Sequence, residues 1–275
     1  MGAGDHEPLE PNHYPIMPTW SDTISLVRRF RLQPTGFPAS NWNPDILSLI
    51  TLAEFATTDW VNKLDPGRPP DDEETNREID GLVQLAQTQR AARMEEILAQ
   101  YSGHHKYYYG LLMIRRETHP ATCLLLKVAS RVTELTMAYF KHKYNRARPV
   151  QYCPSLMPPL DTTAHPSYPN GHALFGLMKA HCVADAVPQM LEPMLMLAER
   201  IWRNAEIGGF HFPSDAIASK KIADGAMPLL RTCNSYKRTV DAVKLEWQGV
   251  RPTGTPPTRA ERPPRGTRGR PKGRR

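Results

Sequence analysis

From Pro120 to Asn145 the chain reads PATCLLLKVASRVTELTMAYFKHKYN, a helix-forming run whose central turns are apolar nearly all the way round. Such a helix has no face to give to water, so it must lie at the centre with other elements packed about it. The rest of the chain supplies suitable partners. Apolar residues at Ile46, Ile50, Leu52 and Phe55 mark a helix over residues 45–61, and GRPP at 67–70 breaks the chain after it. Ile79, Leu82, Val83, Ala86, Met94, Ile97 and Leu98 predict one long amphipathic helix over residues 71–101, with acids crowded at its positive end. Further helices are expected over 171–187, 190–207, 214–230 and 233–248, stopped in turn by Pro188 and by Gly208-Gly209. Strand-like alternation is scarce. The expected fold class is all-α, a single-domain bundle of six or more helices.

The ends of the chain differ from its middle. Residues 1–40 are rich in proline and poor in pattern, which predicts an N-terminal arm. Residues 251–275 hold eight Arg and one Lys against one Glu, a net of +8 in a chain whose total is +7, so residues 1–250 carry about −1. The tail is expected to be disordered, since Pro, Gly and Arg leave it nothing to bury. Nucleic acid or an acidic partner could meet it through phosphate-type contacts, but it carries no base-reading module. The helical domain is therefore placed at residues 41–250, and that domain is not basic.

Four cysteines, Cys123, Cys153, Cys182 and Cys233, are widely spaced without a CxxC pair and read as buried reduced thiols, with no metal site indicated. The N-terminus lacks the pattern of an export signal. No uncharged apolar run approaches the ~18 residues of a membrane span. The expectation is a soluble, cytoplasmic protein.

Three clusters carry the chemistry. In KHKYNRARP, Lys141 and Arg148 are seven residues apart, so both lean to one side if the helix persists that far. In HPSYPNGHALFG, a turn through Pro169, Asn170 and Gly171 feeds a helix that starts near His172. Free N–H groups at such a start make an anion site, glycine permits close approach, and His172 stands where it can protonate a leaving oxygen. In RNAEIGGFHFPSDAIA, the His211-to-Asp215 spacing lets a carboxylate fix the imidazole tautomer and strengthen the other ring nitrogen as nucleophile or ligand.

The order K-x6-RP, PSYPNGHA and GGFHFPSD resembles the signature of the superfamily that contains type-2 phosphatidic-acid phosphatases, bacterial class A acid phosphatases and vanadium-dependent haloperoxidases. The segment RPVQYCPSLMPP is most similar to the soluble bacterial phosphatase-like members. The likeness covers roughly residues 75–230. It implies that Lys141, Arg148, Asn170 and the Gly171 amide bind phosphate or vanadate oxygens. It further implies that His172 is the general acid, His211 the nucleophile (or the axial ligand of vanadate) and Asp215 its orienting partner. Two positions depart from the pattern: Asn170 stands where a serine is usual, and Ala205 where an arginine is usual six residues before the histidine. Neither Arg203 nor Arg200 replaces that arginine by helical spacing.

The function expected is hydrolysis of phosphate monoesters or related small phosphorylated substrates through a phosphohistidine, with no metal or cofactor required. The alternatives are a vanadate-dependent haloperoxidase, and a catalytically degenerate protein that binds anions or acts as a scaffold.

Overall fold

The computed structural model describes Phe37 and residues 42–248; apart from Phe37, the expected N-terminal arm lies outside them, as does the basic tail. From Trp42 onward the described residues belong to one compact unit. Ten α-helices occur among the described residues: α1 (Pro44–Ala56), α2 (Trp60–Lys63), α3 (Asp72–Thr88), α4 (Arg90–Leu111), α5 (Pro120–Tyr144), α6 (Pro149–Tyr152), α7 (Gly171–Ala184), α8 (Leu191–Ile207), α9 (Pro213–Leu230) and α10 (Asn234–Trp247). No strand is found among them, and no helix is long and apolar enough to cross a membrane.

Helix α5 is central, as its composition demands, and packs against α1, α7 and α10. Leu125, Leu126, Val128, Ala129, Val132 and Phe140 bury its faces in the main core. Helix α7 lies against α5, α8 and α9, while α4 runs along α8. Gly176 makes the α7–α8 approach close: a Cβ there would stand 2.5 Å from Ala198 Cβ and 2.5 Å from the Tyr108 hydroxyl.

Two sequence expectations are corrected. The long helix over 71–101 is two helices. It breaks at Gln89 (φ −124°, ψ −26°), and the second part continues to Leu111. At the break, Arg90 donates to the carbonyls of Ile207, Leu156 and Met157, so long-range contacts with the last residue of α8 and with the 3-10 turn at Pro154–Leu156 and the residue after it override local periodicity. The other correction concerns α1, which ends at Ala56 and leaves Ile46 and Ile50 exposed. Its inner face is Ser48, Thr51 and Phe55. Asp45 pairs with Lys127 and Arg131 of α5, and Thr51 accepts from Ser235 of α10, so polar contacts set the rotation of this helix.

All four cysteines are free thiols; Cys123, Cys182 and Cys233 are buried, but Cys153 is partly exposed in the loop after α6.

Alanine in an exposed helix usually gains about 1 kcal/mol over glycine. At Gly176 the two close contacts reverse the sign. Gly176→Ala is expected to destabilise by about 1–3 kcal/mol, the usual range for overpacking, as read from urea unfolding.

Candidate functional site

The sequence clusters converge where α5 ends, α7 begins and α9 begins. Helix α5 stops at Tyr144 because Asn145 takes a left-handed conformation (φ 44°), so Arg148 lies beyond the helix rather than two turns along it. The conditional expectation for Lys141 and Arg148 is thus corrected: chain reversal, and no shared helix face, sets their relation. Lys141 is 3% exposed, and its Nζ donates to the carbonyls of Pro166 (2.5 Å), Ser167 (3.0 Å) and Pro169 (2.8 Å). Those three donors hold the loop that leads into α7. Burial, followed by Arg148, brings its pKa down to about 7.

At that loop's end Asn170 is the N-cap of α7. Its Oδ1 accepts from the Ala173 amide at 3.2 Å, while its buried Nδ2 has no partner. Ser219 donates to the Asn170 carbonyl, and the Asn170 amide donates to the Asp215 carbonyl, which locks the cap to α9. Gly171 has Met137 Sδ at its back, 2.8 Å from where a Cβ would stand, so a side chain would disturb the turn.

Helix α9 starts at Pro213 and puts Asp215 at its third position, where the carboxylate accepts from the Phe212 amide at 3.0 Å. Its Oδ2 also accepts from Ser167 Oγ and from His211 Nδ1 (3.1 Å), and Oδ1 accepts from Arg146 Nη1 (2.8 Å). Burial opposes ionisation of Asp215, yet the donors, with His211 foremost, bring its pKa to about 2. His211 shifts well below 6.5, chiefly through burial, with Arg148 and Lys141 adding to the effect and Asp215 opposing it. The imidazole is therefore neutral, with its proton on Nδ1 toward Asp215 and its lone pair on Nε2.

Arg148 Nη1 stands 3.3 Å from that Nε2 and also donates to the Phe210 carbonyl. The rest of its guanidinium donates to Thr163 Oγ1, His165 Nδ1 and the His165 carbonyl. A cavity of about 160 Å³ opens here, lined by Arg148, Gly171, His172, His211, His104 and Phe175 among others. His172 is held by the Tyr101 carbonyl at 3.3 Å, and its ring centre lies 6.4 Å from that of His211. Burial lowers its pKa to about 4.

Of the sequence-derived site residues, Arg148, Gly171, His172 and His211 thus line one cavity. Asp215 backs His211, Asn170 caps the adjoining helix, and Lys141 braces the loop. Ala205 lies in an apolar cluster with Ile97, Ile207 and Phe210. Arg203 pairs with Glu206 and Arg200 with Glu96, so neither is turned to the Ala205 position for a role there.

Sequence reasoning missed Arg146, although it sits inside KHKYNRARP. Only 5% exposed, it bonds Asp215, Ser214, Glu78 and Thr75 and stacks 3.8 Å from the Phe212 ring centre. Its signal was concealed by two neighbouring basic residues that fit a helix-face spacing. Ser167 was missed too, because a hydroxyl that bonds a carboxylate on another element leaves no pattern in spacing. His104 and Tyr101 escaped notice because the helix was ended near residue 101.

A non-specific acid phosphatase of Providencia stuartii is 25% identical to this chain over 144 residues, which are 50% of this chain and 58% of that protein. The chain thus spans rather more than half the length of the relative it matches. No protein-family model matches the chain.

Arg146 neutralises two buried carboxylates, Glu78 and Asp215, at 2.9 and 2.8 Å. Arg146→Met leaves both uncompensated. It is expected to cost about 3–5 kcal/mol of unfolding free energy, with a lower thermal midpoint in calorimetry.

Proposed function

We propose that this protein hydrolyses phosphate monoesters, with His211 as the nucleophile. The observation that carries this reading is the Asp215–His211–Arg148 line: a buried carboxylate orients a neutral imidazole whose free nitrogen faces a guanidinium in a cavity. Similarity to the acid phosphatase supports the same chemistry at a coarser level.

The residues suggest the following sequence. A phosphoryl group entering the cavity takes the Arg148 donor from His211 and exposes the Nε2 lone pair. The free amides of Gly171 and His172 at the start of α7 offer donors to its oxygens, and so does the unpartnered Asn170 Nδ2. Nε2 attacks phosphorus, the ester P–O bond breaks, and the leaving oxygen takes a proton from His172. Asp215 stabilises the positive charge that develops on His211. A water molecule then gives its proton to His172 and attacks phosphorus; the P–N bond breaks and phosphate leaves. Lys141 contributes positive potential from behind the loop. No step is routed through a metal.

The departure at Ala205 fits a weakened version of this chemistry, since a missing donor to oxyanion charge typically costs about 10²–10³ in turnover.

Release of phosphate from an aryl phosphate is expected from the purified protein, and His211→Ala should lower it by at least about 10⁴-fold. Absence of turnover in the unaltered protein overturns the reading in favour of anion binding without catalysis. The general acid works only when protonated, and burial sets the His172 pKa at about 4 in the free protein. The kcat/KM is therefore expected to fall as pH rises above that value, and His172→Gln should remove this limb of the pH profile.

A further inference from the structure

The wall of the cavity away from His211 carries a histidine that the proposed reaction does not use. His104 on α4 is 9% exposed, lines the same cavity, and has no hydrogen-bond partner on either ring nitrogen. Leaving an imidazole buried without partners is unfavourable, so the arrangement favours a ligand atom in that place.

The groups around it indicate which atom. The rings of His105 and His172 lie 4.0 and 4.7 Å from that of His104, centre to centre. Behind them Lys179, 1% exposed, donates through Nζ to His105 Nδ1 at 2.5 Å. Among the described residues no carboxylate stands within ion-pairing distance of Lys179; Glu134 acts on it only from further away. The cluster is three imidazoles and an amine without an acid. Burial, then His172, His105 and Lys179, all push the His104 pKa the same way, down to about 2. A neutral hydroxyl would satisfy one ring nitrogen and leave the buried Lys179 amine, which no carboxylate pairs with among the described residues, without an opposite charge nearby. A negative oxygen would accept from the ring and also offset the positive charge of Lys179 behind it.

We propose that His104 forms a second anion subsite of the cavity, so that the substrate is a small phosphate monoester whose alcohol bears another anionic group, a carboxylate or a phosphate. This rests on the phosphatase reading above. The phosphoryl group sits at His211 and Arg148, the short carbon link passes His172, whose ring neighbours both His211 and His104, and the second group meets His104. At about 160 Å³ the cavity is well below the roughly 300 Å³ at which ordinary ligand pockets begin, which limits that link to a few atoms.

The test uses four esters of similar size: ethyl phosphate, 2-hydroxyethyl phosphate, phosphoglycolate and ethylene glycol bisphosphate. The unaltered protein is expected to show kcat/KM about tenfold or more higher for an anionic ester than for 2-hydroxyethyl phosphate. His104→Leu should bring that ratio close to one, and His104→Gln, which keeps a neutral N–H donor but cannot take up a proton beside the bound anion, should give a value between. A gain confined to phosphoglycolate assigns the subsite to carboxylates, and one confined to the bisphosphate assigns it to phosphates. Turnover of all four esters with no anionic preference overturns the subsite and leaves the phosphatase reading standing. Failure to hydrolyse any of the four while an aryl phosphate is cleaved overturns this inference alone, and failure with the aryl phosphate as well overturns that reading and this inference with it.

Discussion

The buried carboxylate of Asp215 is the interaction on which the rest of the site depends. Its two oxygens accept from four donors: His211 Nδ1, Ser167 Oγ, the Phe212 amide and Arg146 Nη1. Those donors belong to the turn before α9, the loop before α7 and the segment after α5. A fully buried charge is tolerated only if its lone pairs are satisfied, so the three segments have to meet with the correct register. Glu78 extends the constraint to α3 through Arg146 and Ser214. The same contacts that hold these loops together also set the tautomer of His211.

Cations perform the complementary task. The segments at 163–169 and around Phe210 are irregular and leave carbonyls without partners in a helix. Lys141 and Arg148 donate to five of those carbonyls between them, at Pro166, Ser167, Pro169, His165 and Phe210. Backbone oxygens replace the water that each cation gives up, and the remaining desolvation penalty shows as lowered pKa values for both residues. Positive potential is thereby concentrated at a cavity whose walls include few acids, before any ligand arrives.

Much of the architecture was legible in the sequence because it follows from local pattern. The apolar circumference of residues 120–144 required a central helix, and proline and glycine marked the ends of α7 and α8 within a few residues. The break at Gln89 was not legible. It carries neither proline nor glycine, and its reason is the engagement of Arg90 by carbonyls more than sixty positions away. Helix α1 was misread for a similar cause: Ile46 and Ile50 have the spacing of an inner face, but ion pairs from Asp45 to α5 turn them outward.

Sequence alone determined which residue types could act. A histidine four positions before an aspartate at a helix start can be oriented by it, and an Asn-Gly pair ahead of an apolar run can open a helix toward an anion, because both relations are local and follow from helix geometry. Only the tertiary structure decided which basic residues face the cavity and which brace its walls. Arg148 reaches His211, Lys141 is spent on the loop, Arg146 neutralises Asp215, and the unpartnered His104 arrives from a helix ended too early by its pattern. Those roles depend on contacts between segments far apart in the chain, where desolvation makes each buried charge find a particular partner, and one-dimensional spacing contains no record of that choice.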